Sequence, residues 1–199
     1  AVDNMRRILE PADANGFFVR IDMENSPYTD ATLGILETLW QQGHRNVGTV
    51  IQSYLKRSEG DIRRLNAMGA RVRLVKGAYK EPKTVAYQSK SEVDAAYVEL
   101  MRLLLDEGTY PAIATHDPVI IEATKAWTEA LRQVTQRVPR AAVCFTSCGL
   151  GTCSATTAPW PSQRTSAAVS PVASTSRSSA GRASPAWKPS QMSCPRNRP

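Results

Sequence analysis

Four short apolar runs, FFVRID (17–22), VGTVIQSY (47–54), VRLVKGAY (72–79) and PAIATHD (111–117), recur along the first two thirds of the chain. Between them lie TDATLGILETLWQQG, SEGDIRRLNAMG and SEVDAAYVELMRLLLDEG, in which apolar residues return every three to four positions, as Val93, Ala96, Tyr97, Leu100, Leu103 and Leu104 do. Strand, helix and strand in regular alternation predict a parallel sheet, because parallel neighbours must be joined by a crossover and a helix is the usual one. The count gives about four βα units, half of an eight-stranded barrel or most of an open sheet, so the expected class is α/β, either a partial (βα)8 TIM-like barrel or an open parallel sheet. Helix ends are also marked. Ser58 with Asp61 and Ser91 with Asp94 read as capping boxes with Asp in place of Glu, and Gly43, Gly69 and Gly108 stand where C-terminal caps belong.

Charge and composition divide the chain near residue 139. Of its 25 Lys and Arg, seven lie in residues 140–199, which contain no Asp or Glu; the remaining 18 face all 18 acids in residues 1–139. The net charge of +7 therefore belongs to the tail, and the first part is neutral. That tail holds 12 Ser and 7 Pro without periodicity, a composition with too little apolar surface to offset chain entropy, and it is expected to be disordered. Its four cysteines, Cys144, Cys148, Cys153 and Cys194, have neither zinc-ligand spacing nor that of a compact disulfide framework. An arginine- and serine-rich tail could contact RNA, but it lacks interleaved aromatics, so no nucleic-acid partner is expected. No run reaches the 18 apolar residues of a membrane span, and no basic segment followed by an apolar run opens the chain. The expectation is a soluble protein without a secretory signal, whose start at Ala1 reads as cut.

In parallel α/β folds the chemistry collects at the C-terminal ends of the strands. Asp22, Gln52, Lys76 and His116 all stand there. Arg73 and Lys76 are three apart and point to opposite faces unless the strand has ended by Lys76. Arg73 then either pairs with an acid or faces a ligand, and Gly77 lets backbone approach a flat or phosphorylated group closely. Asp22 either caps the next helix or pairs with these cations. Gln52, inside an apolar strand, needs a polar partner. His116 has no second His or Cys at metal spacing in residues 1–139, so no metal is assigned. Neither G-x-G-x-x-G nor G-x-x-x-x-G-K-[ST] occurs, which leaves a Rossmann or P-loop nucleotide site unsupported. A strand-end lysine, here Lys76, also fits a Schiff-base lyase or aldolase.

Taken together and in order, RIDMENSPYTD, TVIQSYLKRSEGD, VRLVKGAYKEP and YPAIATHD closely resemble the proline dehydrogenase family, most of all its bacterial single-function members. The resemblance covers roughly residues 1–125. It implies a distorted (βα)8 barrel that binds FAD non-covalently at the C-terminal strand ends and oxidises L-proline to 1-pyrroline-5-carboxylate, with hydride transfer to FAD N5, in proline catabolism. Matched position by position, Asp22 and Arg73 fall on active-site residues, and Met23, Gln52, Lys76, Gly77, Ala78, Thr115 and His116 on FAD contacts. Tyr79 falls on the substrate pocket. The implied roles are Arg73 against the flavin near N5, Lys76 with the Gly77-Ala78 backbone holding the ring and its chain, and Asp22 orienting the cations by ion pairing. A cation fixed in a dry pocket stabilises the negative charge a flavin gains on reduction. The resemblance further implies an electron acceptor such as a membrane quinone, no transmembrane segment, and a location in the cytoplasm or peripheral to the inner membrane.

Near residue 125 the resemblance stops. The family's final helix carries an arginine pair that grips the proline carboxylate, and residues 140–199 contain no match to it; the first barrel strands are missing as well. Allowed codons for CFTSCGLGTCSATTAPWP, read one base earlier, yield Leu-Leu-Tyr-Val-Leu-Arg-Pro-Gly-Asp-Leu-Gln-Arg-Asp-Tyr-Arg-Ala-Met-Ala, which resembles the family's next segment. The expectation is therefore an N-terminally truncated fragment whose frame shifts between about residues 125 and 144. Residues 1–139 form the partial barrel, residues 140–199 are out of frame, and the fragment by itself is inactive.

Overall fold

A computed structural model of the chain describes residues 1–135 and 142–144. In chain order the elements are α1 (Val2–Ala14), β1 (Val19–Ile21), a 3-10 turn (Ser26–Tyr28), α2 (Thr29–Gln41), β2 (Val47–Gln52), α3 (Ser58–Met68), β3 (Val72–Val75), α4 (Lys90–Glu107), β4 (Ala112–Ala114), α5 (Pro118–Thr135) and β5 (Ala142–Cys144). The strands form one sheet in the order β1-β2-β3-β4-β5, and every neighbouring pair is parallel. A sheet whose spatial order follows chain order is wound in one direction, like the wall of a barrel; a doubly wound sheet reverses its order at a switch point. The partial α/β barrel read from the sequence is the architecture observed.

Burial alternates along β3 and separates two faces there. In β3, Val72 and Leu74 are buried, whereas Arg73 and Val75 are half-buried. Leu74 packs in a core with Leu33, Leu36 and Leu39 of α2, Ile62 and Leu65 of α3, Tyr97, Met101 and Leu104 of α4 and Ile120 of α5. Fully burying such a side chain contributes about 1.5–3 kcal/mol, so the apolar stripes of four helices fix which face of the sheet they cover. The Tyr97 hydroxyl, deep in this core, donates to the Leu74 carbonyl at 3.0 Å, and burial raises its pKa. Arg73 and Val75 are left on the opposite face.

The helix ends depart from the sequence reading in three places. Ser58 is the first residue of α3 rather than its cap, and its hydroxyl donates to the Gln52 carbonyl at 2.6 Å. Asp61 does not reach back to it, because Arg57 holds that carboxylate at 2.7 Å. At α4 the capping box is Ser89 with Glu92, two residues before the expected Ser91 with Asp94, since Asp94 is drawn into an ion pair. Gly43 and Gly69 have the positive φ of a C-terminal cap, but Gly108 is extended at φ −80°, and there close approach to the Leu104 carbonyl is what excludes a side chain. A further difference concerns the boundary at residue 139. Ala142–Cys144 pair with Ala112–Ala114, so the sheet runs past that boundary. Three residues are too few to show a period, and they merge into the Ser- and Pro-rich composition that follows. The remainder of the expected tail lies outside the described residues.

Two glycines test the packing in opposite directions. A Cβ on Gly48 of β2 would stand 2.3 Å from the Arg71 carbonyl oxygen and 2.7 Å from the Phe18 ring, and the carbonyl cannot swing aside. Gly48→Ala is expected to destabilise the fold by about 1–3 kcal/mol, whereas Gly34→Ala on α2, with nothing within 4 Å, is expected to stabilise by about 0.5–1 kcal/mol. Denaturant melts of the two variants against the parent check both signs.

Candidate functional site

The ends of β1, β2, β3 and β4 and the loops that follow them enclose a cleft of about 740 Å³. Its lining includes all ten residues singled out by sequence: Asp22, Met23, Gln52, Arg73, Lys76, Gly77, Ala78, Tyr79, Thr115 and His116. It also includes Lys90 and Asp117, which sequence reading did not single out.

β3 ends at Val75, so Lys76 is already in the loop and can share a cleft with Arg73. The Arg73 guanidinium pairs with the Asp22 carboxylate, while its Nε is buried and has no hydrogen-bond partner among the described residues. Gln52 is 4% exposed; its amide nitrogen donates to the Met23 carbonyl at 3.2 Å, and its Oε1 is buried with no donor among the described residues. Gly77 adopts φ +107°, and a Cβ there would lie 2.4 Å from the Tyr54 ring, so only glycine lets the chain turn at this point. Thr115 is buried, and its hydroxyl accepts from the Asp117 backbone N–H at 3.1 Å; His116 beside it is exposed. The Tyr79 hydroxyl donates to Glu24, and that carboxylate raises the tyrosine pKa.

Asp22 orients Arg73 but not Lys76, contrary to the expectation that it orients both cations. Lys76 Nζ bonds instead to Asp94 Oδ1 at 2.5 Å and Asp117 Oδ2 at 2.9 Å. Lys90 Nζ completes the group, pairing with Asp94 and lying 3.2 Å from Asp117 Oδ2. The Lys76 ammonium, and then that of Lys90, hold the Asp117 carboxyl well below the usual carboxylate range and lower that of Asp94. Lys90 is raised in turn by Asp94 and Asp117. Asp117 also accepts the Val119 N–H at 3.1 Å at the start of α5. The Asp that closes THD and another inside a helix give no sequence signal of this arrangement, because the partners come from three different elements.

The residues present fit a flat, polar heterocycle. Two buried polar atoms on one wall, Gln52 Oε1 and Arg73 Nε, have no partner among the described residues, and buried polar groups are otherwise almost always satisfied. Leaving each unmatched costs about 1–3 kcal/mol, which a ligand with a donor and an acceptor in the cleft would recover.

The four-charge group makes acid sensitivity a local property. Asp94 and Asp117 have folded pKa values below their ordinary 3.8, so their contribution is present above that range and lost as pH falls through the folded values. The double variant Asp94→Asn/Asp117→Asn is expected to lose stability at pH 7 and to show a flatter acid limb. Thermal melts between pH 7 and pH 2 check this; identical pH dependence in parent and variant would contradict it.

Comparison with known proteins places this geometry. The proline dehydrogenase family model matches residues 4–147. Over 123 residues the chain is 46% identical to proline dehydrogenase of Deinococcus radiodurans, covering 61% of this chain and 40% of that protein. It is 43% identical over 123 residues to proline dehydrogenase 2 of Bacillus subtilis (strain 168), covering 62% of this chain and 40% of that protein. The chain thus spans about two fifths of the length of these curated relatives. Among solved structures, proline utilization A (PutA) from Bdellovibrio bacteriovorus, inactivated by N-propargylglycine, superposes with a TM-score of 0.61 at 29% identity, over 66% of this chain and 16% of that one. A variant of PutA from Bradyrhizobium japonicum gives a TM-score of 0.59 at 25% identity, over 64% of this chain and 16% of that one. With a family model matched across most of its length, the chain belongs to the proline dehydrogenase family.

Proposed function

We propose that this segment carries the flavin-facing half of an FAD-dependent proline dehydrogenase, which oxidises L-proline to 1-pyrroline-5-carboxylate in proline catabolism. The observation that carries the reading is the convergence of Gln52 from β2, Arg73 from β3 and Lys76 from the loop after β3 on one cleft, with two buried polar atoms that have no partner among the described residues. FAD, when bound, supplies the acceptor for the electrons and hydrogen that leave proline. Asp22 holds the Arg73 guanidinium in one orientation, so its cationic edge is in place before a ligand arrives. The Asp94, Asp117 and Lys90 side chains do the same for Lys76. Gly77 and Ala78 present bare backbone, and Met23, 6% exposed, closes the floor against water. Thr115 and His116 add hydrogen-bonding groups from the β4 end, and Tyr79 borders the place we assign to proline.

The electron acceptor in this reading is a membrane quinone or similar carrier met in the cytoplasm or at the inner-membrane surface; among the described residues no helix is long and apolar enough to cross a membrane. The Schiff-base alternative finds no support in the geometry. An attacking amine must be neutral and unencumbered, whereas Lys76 is bound by two carboxylates. A frame shift between about residues 125 and 144 remains our account of the sequence after β5, and an intact frame on resequencing codons 120 to 150 would overturn it.

Placed in a complete barrel, this segment is expected to copurify with FAD, visible in the absorption spectrum. There, Arg73→Lys is expected to slow flavin reduction by proline by about tenfold or more while leaving folding intact, because an ammonium cannot reproduce a planar guanidinium with several donors. Anaerobic stopped-flow reduction measures it; an unchanged rate would make Arg73 a structural ion-pair partner only. The 199 residues expressed alone are expected not to turn over. Residues 140–199 contain no arginine pair to grip the proline carboxylate, and losing a bidentate charged contact costs several powers of ten in catalytic efficiency, roughly, at about 1.5–3 kcal/mol per bond. Dye reduction with saturating proline and added FAD decides this, and turnover within about tenfold of a complete relative would refute it.

A further inference from the structure

In the sheet β2 separates β1 from β3, yet three side-chain contacts across the end of β2 join the loop that leaves β1 to β3 and to the loop that follows it. Asp22 meets Arg73, Glu24 meets Tyr79 and Ser26 meets Glu81. The residues on the first loop are two apart, the spacing at which an extended chain sends side chains to one side. These contacts are unequal. Asp22 is 70% exposed and Tyr79 42%, and exposed pairs contribute little. Ser26 and Glu81 are both half-buried, and the Glu81 carboxylate accepts two bonds, from the Ser26 backbone N–H and from its hydroxyl, each at 2.6 Å. Bonds to an ionised acceptor are roughly twice as strong as neutral ones.

Local caps do not replace this contact. Neither Asn25 before the 3-10 turn nor Tyr28 before α2 makes a side-chain cap, so Glu81 supplies the acceptor for the turn's first amide from a distant loop. The loop that carries Glu81 is itself fixed through backbone: Tyr54 N–H donates to the Lys76 carbonyl at 3.0 Å, Lys56 N–H to Val85 at 3.0 Å and Tyr87 N–H to Tyr54 at 2.9 Å. A backbone-anchored loop thus holds a loop that, among the described residues, is bonded to β2 beneath it through the Gln52 amide and the Met23 carbonyl.

We infer that Glu81 is a positioning residue that latches Ser26, and through it the β1–α2 loop bearing Asp22 and Met23, onto the β3–α4 loop; its effect on cofactor binding rests on the flavin reading above. The latch itself is tested without cofactor, by amide hydrogen exchange on the 199-residue chain. Glu81→Ala is expected to speed exchange at Ser26 and across residues 22–29 by at least about tenfold, with amides of β2 and β3 unchanged. Glu81→Gln keeps one carbonyl acceptor and is expected to fall between parent and Ala variant. Fluorescence titration with FAD gives the second readout: about tenfold weaker binding in Glu81→Ala, largely restored in Glu81→Gln. Unchanged exchange at Ser26 overturns the latch whatever FAD does. Faster exchange with unaltered FAD affinity overturns the positioning role. A parent chain that binds no FAD, with exchange responding as expected, overturns the cofactor reading for this chain and upholds the latch.

Discussion

Everything of chemical interest in this chain depends on the strands being parallel. A parallel strand can be followed by another only after the chain has returned along a helix, so each strand delivers its C-terminal end to the same rim. Residues 22, 52, 76 and 116 are far apart in sequence, but the registers of β1 through β4 set them side by side. Because strand order also follows chain order, crossovers of one hand put the helices on one face, where Leu36, Ile62, Tyr97 and Ile120 seal the sheet, and leave Arg73 and Val75 to the other. Were one strand reversed, its strand-end polar residue would stand at the wrong rim and the cleft would lose a wall.

The cleft is charged in detail and balanced as a group. Arg73 is matched by Asp22, and the two ammoniums of Lys76 and Lys90 by the carboxylates of Asp94 and Asp117. Charges held this way need no reorganisation when a polar ligand enters, which is the condition for electrostatic stabilisation to be effective. The acids serve the fold as well. Asp117 accepts the Val119 amide where α5 begins, and a carboxylate at a helix N-terminus is favoured by the helix dipole. Structural and site roles therefore fall on the same side chains.

The first four strands, the three helices between them, and Asp22, Gln52, Arg73, Lys76, Gly77 and His116 were legible from local signals: alternation, helical period, or a polar or glycine residue closing an apolar run; Met23, Ala78, Tyr79 and Thr115 came only with the family resemblance, and β5 was not read at all. What escaped was set by contacts between elements. Asp94 looks like a capping residue until Lys76 arrives from β3 and Lys90 from one turn earlier; with Asp94 so engaged, the cap passes to Ser89 and Glu92. Ser58 has cap chemistry, yet its hydroxyl is drawn to the Gln52 carbonyl at the end of β2. The pairing of Lys76 with two carboxylates, rather than with Asp22, follows from the adjacency of β3 and β4, which no window of residues around Lys76 encodes.

The two loops at the mouth are secured by different means. The loop after β3 is tied by main-chain bonds to the segment after β2, including a bridge between Leu55 and Ala86, and main-chain bonds survive almost any change of side chain. The loop after β1 is tied mainly through the side chains of Asp22, Glu24 and Ser26. Drift in sequence would therefore act on them unequally. The loop after β3 can exchange side chains and keep its path, apart from Gly77, whereas single replacements in the loop after β1 can move it, so the β1 side of the mouth is the side that mutation can reshape without touching the rest of the sheet.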